Sequence, residues 1–323
     1  MNNIIISYLF SLVFISSSLA QTIPTVLYNN QTDSYHLGRY GKIKDSTIFY
    51  DYAEPFSEGK ALVVMDKNWF FIDSNFKPLF NKIFSEAKSF VNGFAIVLTN
   101  DGQSNLIDSF GNFIFQQPMD DVQAMQDNMC AFSLRGKWGF ANANGIKIPP
   151  KYDEVLGFQS GMSWVKIDHK WHLIDNNGNY LTEHTFDFVS NIHNKTSCVW
   201  YLNRLYRLDA NFELKHLDMR IEGEILQMYQ GPEFMFVQTS IGLYWLDNNN
   251  QFFFIPSDWV KTNGNSMFAI QREGYYRLYD LNLKLLNRES YEDLDFLNNG
   301  WIKVYKGKKS YFMDADLNPY IKN

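Results

Sequence analysis

The sequence is short of cysteine, histidine and positive charge, and each shortage removes a class of protein. Two cysteines in 323 residues cannot build a disulfide framework. With 29 Lys and Arg against 35 Asp and Glu the net charge is −6, and the basic residues are scattered apart from Lys306, Lys308 and Lys309. No cationic stripe is left to neutralise phosphates, so nucleic acid is not an expected partner. The lysine run reads as a solvated turn, because an anionic-lipid patch takes about 4–8 basic residues. Beyond residue 20 no apolar run approaches the roughly 20 residues of a membrane span. No Gly-rich phosphate loop is present, and Gly161-Met162-Ser163-Trp164-Val165 lacks the second Gly of a nucleophile elbow. Of six histidines, His169, His172, His184 and His193 share one stretch, but His169 falls in an expected turn and His172 in an expected strand. That is not a metal-ligand arrangement. No catalytic residue, cofactor or metal is expected.

What is present is apolar material: 46% hydrophobic and 17% aromatic residues, enough for a sizeable core. The first 20 residues read as a secretory signal peptide, with an apolar stretch from Ile4 to Ile15 and a small-x-small site at Ser18-Leu19-Ala20. Cleavage near Ala20-Gln21 would leave a secreted or periplasmic protein with no membrane span. The n-region has no Lys or Arg, and an uncleaved anchor is the competing reading. Three segments follow: 1–20 as signal, 21–55 as an N-terminal segment with a partial repeat, and 56–323 as a repeat domain.

The repeat organises everything else. An aliphatic or aromatic anchor recurs at Val63, Val97, Phe132, Val165, Val199, Val237, Ile270 and Val304, at intervals of 33 to 38 residues. Ten or eleven residues after each anchor stands Asp73, Asp108, Asn142, Asp175, Asp209, Asp247, Asp280 or Asp314, always preceded by an apolar or aromatic residue. Eight tandem units of about 34 residues are therefore expected.

Each unit reads as strands. Gly59, Gly93, Gly161 and Gly300 supply a positive-φ turn near the start. A short strand such as Ala61-Leu62-Val63 follows, apolar on both faces, and pairs as a hairpin with a second such as Trp171-His172-Leu173-Ile174-Asp175. The column Asp closes that strand, its carboxylate accepting backbone N–H groups of the next turn. Asp314-Ala315-Asp316-Leu317-Asn318 superficially has the look of a calcium loop, but Pro319 stands where such a loop needs Gly. A third strand closes the unit, and Ile148-Pro149-Pro150-Lys151-Tyr152-Asp153-Glu154-Val155 suggests that it ends at Pro and re-enters as a fourth.

Arg135-Gly136-Lys137-Trp138-Gly139-Phe140, followed by Gly145, Ile148-Pro149 and Tyr152-Asp153, resembles the WG (Trp-Gly) repeat of bacterial proteins. Only the third unit has the whole motif. Trp69 and Trp171 keep the Trp, with Phe70 and His172 in place of the Gly, and the other units hold Ser104, Leu205, Leu243, Tyr276 and Ser310 at the Trp position. The resemblance spans residues about 56 to 320. It implies a β-repeat architecture and an exported or surface-associated protein, and no particular activity.

A unit this small cannot bury its own apolar faces, so neighbours must stack. The expected fold is all-β and β-propeller-like, since eight units suit a ring, and Tyr35-His36-Leu37 reads as a fragment of a ninth unit complementing the last. An open β-solenoid is the alternative, because common propeller repeats run about 40–50 residues. Cys130 and Cys198 fall two units apart on opposite faces of equivalent strands, and both are expected free and buried. Asp120-Asp121, Asp153-Glu154 and Glu292-Asp293 are the carboxylate pairs available for glycoside chemistry, yet they recur at equivalent positions, as structural residues do. Trp69, Trp138 and Trp171 are expected to pack between units. Trp200, Tyr201, Trp259, Tyr275 and Trp301 match the core columns less well and form the candidate binding set. The expected function is a non-catalytic exported interaction module, with protein, peptide or glycan partners at the cell envelope. A carbohydrate-active enzyme or lectin-like glycan binder is the alternative.

Overall fold

The computed structural model describes residues 24–29, 34–39, 42–43 and 48–318, apart from 233, 248–251, 264–265, 298–299 and 308. The signal-peptide reading lies outside the described residues, among which there is no helix. Each repeat unit is a small antiparallel sheet. In the first, the entry strand Tyr52–Ala53 pairs with Lys60–Met65, which pairs with Asn68–Asp73. The central hairpins of the second to fifth units join Phe94–Leu98 to Ser104–Asp108, Cys130–Leu134 to Lys137–Asn142, Met162–Ile167 to Lys170–Asp175, and Ser197–Tyr201 to Arg204–Leu208. Those of the sixth to eighth join Phe234–Thr239 to Gly242–Asp247, Met267–Arg272 to Tyr275–Asp280, and Ile302–Lys306 to Lys309–Met313. Among the described residues no sheet closes on itself.

Tight turns set this register. Asp66 and Lys67 (φ 51° and 65°), like Asp168 and His169 (48° and 65°), take the left-handed conformation at both centres of a two-residue hairpin turn, whose twist matches that of the flanking strands. The column Asp then fixes the exit. Asp73 Oδ1 accepts from the Asn75 and Lys77 N–H groups at 2.8 and 2.9 Å, and Asp108, Asp175, Asp209, Asp280 and Asp314 repeat the arrangement with the second and fourth residues after them. Asn142 keeps only the first bond, to Asn144 at 2.9 Å. The turn reading of this column holds.

After that turn the chain returns along the hairpin as a fourth strand. In the third unit it is the continuous Gly145–Tyr152, which does not stop at proline as the sequence suggested. A register shift between the pairs Trp138/Tyr152 and Phe140/Ile148 absorbs Pro149 and Pro150, neither of which can donate to a ladder. In the first, second, fourth and seventh units only two bridges mark this strand, as with Ile72 to Pro78 and Trp69 to Phe84. Gly139 follows from the third unit's bulge. A Cβ there would lie 2.5 Å from the Ile148 carbonyl oxygen and 2.7 Å from the Pro150 nitrogen. The first, second, fourth and seventh units, which have only isolated bridges here, hold Phe70, Asn105, His172 and Arg277 at the same place, and the fifth and sixth, whose fourth strands pair without a register shift, hold Tyr206 and Tyr244.

The core lies between units. Along each central strand the anchor faces backward and its predecessor forward. Val63 packs with Phe312 of the eighth unit, whereas Leu62 and Phe71 pack with Phe84, Phe90, Val97 and Ile107 toward the second unit. Each fully buried Leu or Phe of this kind is worth roughly 1.5–3 kcal/mol. The described core divides into eight such clusters. Seven join consecutive units, and the eighth joins the last to the first: Phe312, with Leu297 and Trp301, packs against Ala53, Ala61, Val63 and Ile72. The N-terminal strands Pro24–Asn29, Ser34–Arg39 and Lys42–Ile43 form a further sheet, whose Val26, Tyr35 and Leu37 enter that eighth cluster. Tyr35 bridges to Tyr50 as Trp69 bridges to Phe84, so this sheet repeats the hairpin of a unit. The architecture is propeller-like, with the last unit laid against the first.

Candidate functional site

The entry strands are the variable part of the repeat. Their middle residues, Ala53, Ala87, Val122, Val155, Val189, Met228, Val260 and Leu294, are all buried. The flanking columns have no common chemistry: Tyr52, Glu86, Asp121, Glu154, Phe188, Gln227, Trp259 and Asp293 precede them, and Glu54, Lys88, Gln123, Leu156, Ser190, Tyr229, Lys261 and Asp295 follow.

Side chains from these strands reach the backbone of the next unit. Gln227 Nε2 donates to the Val260 carbonyl at 3.1 Å, and Lys261 Nζ donates to the Leu294 carbonyl at 2.7 Å. Asn191 Nδ2 donates to the Gln230 carbonyl at 2.8 Å while its Oδ1 accepts from the Gln230 N–H at 2.9 Å. Backbone groups at the sheet edge are thereby satisfied from the neighbouring unit.

Two cavities open along this row. One of about 660 Å³ lies among the fourth, fifth and sixth units, walled by Trp171, Phe188 and Tyr229 with Glu154, Lys166, His169, Asp187 and Asn191. The other, about 370 Å³, lies among the sixth to eighth, walled by Tyr229, Phe236 and Trp259 with Lys261, Thr262 and Asp295. Gln227 and Tyr229 line both, so the two adjoin as one groove. Its charges are already matched. Lys166 pairs with Glu154 at 2.8 Å, Lys170 with Asp187, and Lys261 with Asp293 at 2.8 Å and Asp295 at 3.5 Å. Burial works against the Lys261 ammonium, but these carboxylates outweigh it and raise its pKa. Burial also pushes the Tyr229 phenol up to about 12.

A second polar cluster sits at the seam. Glu54 is 9% exposed and accepts from the Tyr52 hydroxyl at 3.1 Å and from Ser89 Oγ. Lys303 lies 4.6 Å from the Tyr52 ring centroid and 5.2 Å from that of Tyr305, and the Tyr305 hydroxyl donates to Asp295 at 3.2 Å. Desolvation raises the Glu54 pKa, opposed by the Ser89 and Tyr52 bonds and by Lys303. Desolvation lowers that of Lys303.

The carboxylate pairs are committed to local structure. Asp120 accepts from the Gly136 N–H at 3.2 Å, Asp153 binds Lys137 and the Asp168 N–H, and Glu292 accepts from the Gly307 N–H at 3.1 Å. In each, the first carboxylate of the pair holds the hairpin turn of its own unit. Cys130 and Cys198 are free and buried in different inter-unit clusters, and burial pushes each thiol up to about 12. No group of three His, Cys, Asp or Glu among the described residues has the arrangement to hold a metal ion.

The five aromatic candidates are dispersed. Trp259 stands in the smaller cavity. Trp200 packs between the fifth and sixth units, directly across from Phe188 of the larger cavity. Tyr201 packs between the fourth and fifth units, and Trp301 at the seam. Tyr275 is 51% exposed at the start of its hairpin strand. Trp69, Trp138 and Trp171 lie in inter-unit clusters, as expected. Gln227, Lys261 and Asp295 stand out in no column of the sequence. The only signal for them was that the entry column varies where the anchor column does not.

A family model for the WG containing repeat matches residues 50–69, 69–102 and 138–171. No curated protein matches the chain. Among solved structures, a eukaryotic initiation factor is similar over 93% of this chain and 94% of that one, with a TM-score of 0.54 at 12% identity. The computationally designed Ika8 protein is similar over 80% of this chain and 93% of that one, with a TM-score of 0.50 at 11% identity. Likeness at such identities is one of fold, and it agrees with the propeller-like stacking of the units. The motif residues, the turn-holding Asp column and the matched segments agree, and the chain carries WG repeats at these three places.

Proposed function

We propose that the chain is a non-catalytic, exported binding module whose recognition surface is the groove along the entry strands of the fourth to eighth units. The groove itself carries this reading: cavities of about 660 and 370 Å³ fall within the range that ligand sites occupy, roughly 300–1,000 Å³. Their aromatic walls stand beside a few fixed polar groups. A binding role is favoured over acid–base chemistry because Asp120, Asp153 and Glu292 are engaged with their own hairpin turns, and Lys261 holds Asp293 and Asp295. Export rests on the apolar Ile4 to Ile15 stretch and the Ala20-Gln21 site.

Retention of the protein on arrays of peptides and glycans, with bound material recovered intact, is the expected result. Release of cleaved product from any retained ligand would overturn the non-catalytic assignment. N-terminal sequencing of mature material should begin at Gln21, and a start at Met1 would refute cleavage.

A further inference from the structure

We infer that the groove takes a linear, uncharged glycan. The inference rests on the reading of the groove as the recognition surface and adds the ligand class.

Shape is the first argument. Gln227 and Tyr229 belong to both cavities, so a ligand entering beside Phe188 runs on, past one shared wall, to Trp259. Such a path suits a chain of several rings better than one compact molecule. Phe188 and Trp259 are 38% and 37% exposed, and they stand at the same repeat position two units apart. Aromatic faces held this way offer stacking surfaces to the C–H faces of sugar rings.

Electrostatics is the second. Every cation identified in the groove is already matched by a carboxylate: Lys166 by Glu154, and Lys261 by Asp293 and Asp295. An anionic ligand would have to break one of these pairs to gain a cation. Hydroxyl groups need no such exchange, because they donate to the carboxylates and accept from the amides without altering the charge balance. The third argument separates glycan from peptide. An extended peptide docks by adding a strand to a free sheet edge. Here the Val260 and Leu294 carbonyls are taken by Gln227 and Lys261, and the Gln230 backbone by Asn191, so a peptide would find these edge groups already bonded.

The test is titration calorimetry of the mature protein against maltohexaose, cellohexaose and chitohexaose, their trisaccharides, polygalacturonate, and an unstructured Thr/Val-rich peptide. At least one neutral hexasaccharide should bind, more tightly than its trisaccharide, with quenching of tryptophan fluorescence. Trp259→Ala and Phe188→Ala, both at exposed positions, should each weaken that binding about tenfold or more. Phe110→Ala, on exposed surface of the second unit outside the groove, should leave it unchanged. If no neutral hexasaccharide binds, or if binding is indifferent to both groove variants, the glycan assignment is overturned. Polygalacturonate or peptide binding that is lost in Trp259→Ala overturns the ligand class while leaving the groove as recognition surface. Ligand binding unaffected by either groove variant removes both.

Discussion

Lys303 of the eighth unit stands 4.6 Å from the ring centroid of Tyr52 in the first, 251 residues earlier in the chain. It does so because residues before an anchor face forward, and forward from the eighth unit is the first. Phe312, on the adjoining strand, faces the same way, with its ring 6.1 Å from Tyr52. In an open stack a terminal unit frays on its own, whereas ends in contact are lost together. Phe312→Ala should cost about 3–5 kcal/mol by denaturant unfolding. Amide exchange should speed up both in Ile302–Met313 and in Tyr52–Val64. Acceleration confined to the eighth unit would mean that the seam contributes no coupling.

The buried Glu54 beside that contact gives a pH dependence with a definite sign. Its pKa is raised by desolvation, against the opposing bonds from Ser89 and Tyr52 and the nearby Lys303 and Lys88. A carboxyl raised on folding contributes stability that is fully present below its ordinary range and is lost as pH climbs through the raised value. Lys303, lowered chiefly by desolvation, acts in the other direction: its ammonium is disfavoured in the fold and recovers nothing until the pH nears its own lowered pKa. Glu54→Gln keeps the hydrogen-bonding shape without the charge. Its melting temperature between about pH 5 and 8 should therefore vary less than the parent's, with the gain largest at the alkaline end. A uniform loss at every pH would show instead that the carboxylate is a net favourable partner of Lys303.

Gly139 offers a steric test of the motif that names the family. A Cβ would press on the Ile148 carbonyl and on Pro149–Pro150, which are backbone and cannot swing aside. Gly139→Ala should destabilise the protein by about 1–3 kcal/mol. Asn105→Ala at the equivalent place in the second unit meets no bulged strand, and costs only what its bonds to Phe115 and Leu106 supply. Equal losses with the same exchange pattern would remove the fourth strand as the reason for the glycine.

Anchor and Asp columns were visible because every interface needs an apolar knob and every exit turn an acceptor, whatever the neighbours are. Trp-Gly was visible once, because the demand for a missing side chain exists where the fourth strand stays hydrogen-bonded past its prolines. Groove residues such as Gln227 and Lys261 obey no column. Each is matched to the carbonyl of the following unit, a relation across roughly one repeat that the residue's own surroundings in the sequence do not record. Trp259 surfaced only as a misfit. Contact between the last and first units is suggested by their number, but its residues, Lys303 and Phe312, look like ordinary members of their columns.

The turn column supplies the last prediction. Asp108 Oδ1 accepts from the Phe110 and Asn112 N–H groups at 2.9 and 2.8 Å, and Oδ2 accepts from Asn112 Nδ2 at 3.0 Å. Partial burial opposes the ionised form, yet the Asn112 and Phe110 bonds outweigh it and lower the pKa. A carboxyl lowered on folding adds stability that is present above its ordinary range and is lost as pH falls through the lowered value. Asp108→Ala removes the acceptor and should cost about 1–2 kcal/mol at neutral pH, as loss of a comparable cap does. Asp108→Asn should cost less, since Asn142 holds the equivalent turn with a single bond to Asn144. It should also shed the acid-side share of the stability. Urea midpoints at pH 7 and about pH 3 separate the effects: the parent's advantage over Asp108→Asn shrinks at the lower pH if the ionised carboxylate is the acceptor, and persists if packing of the side chain is what matters.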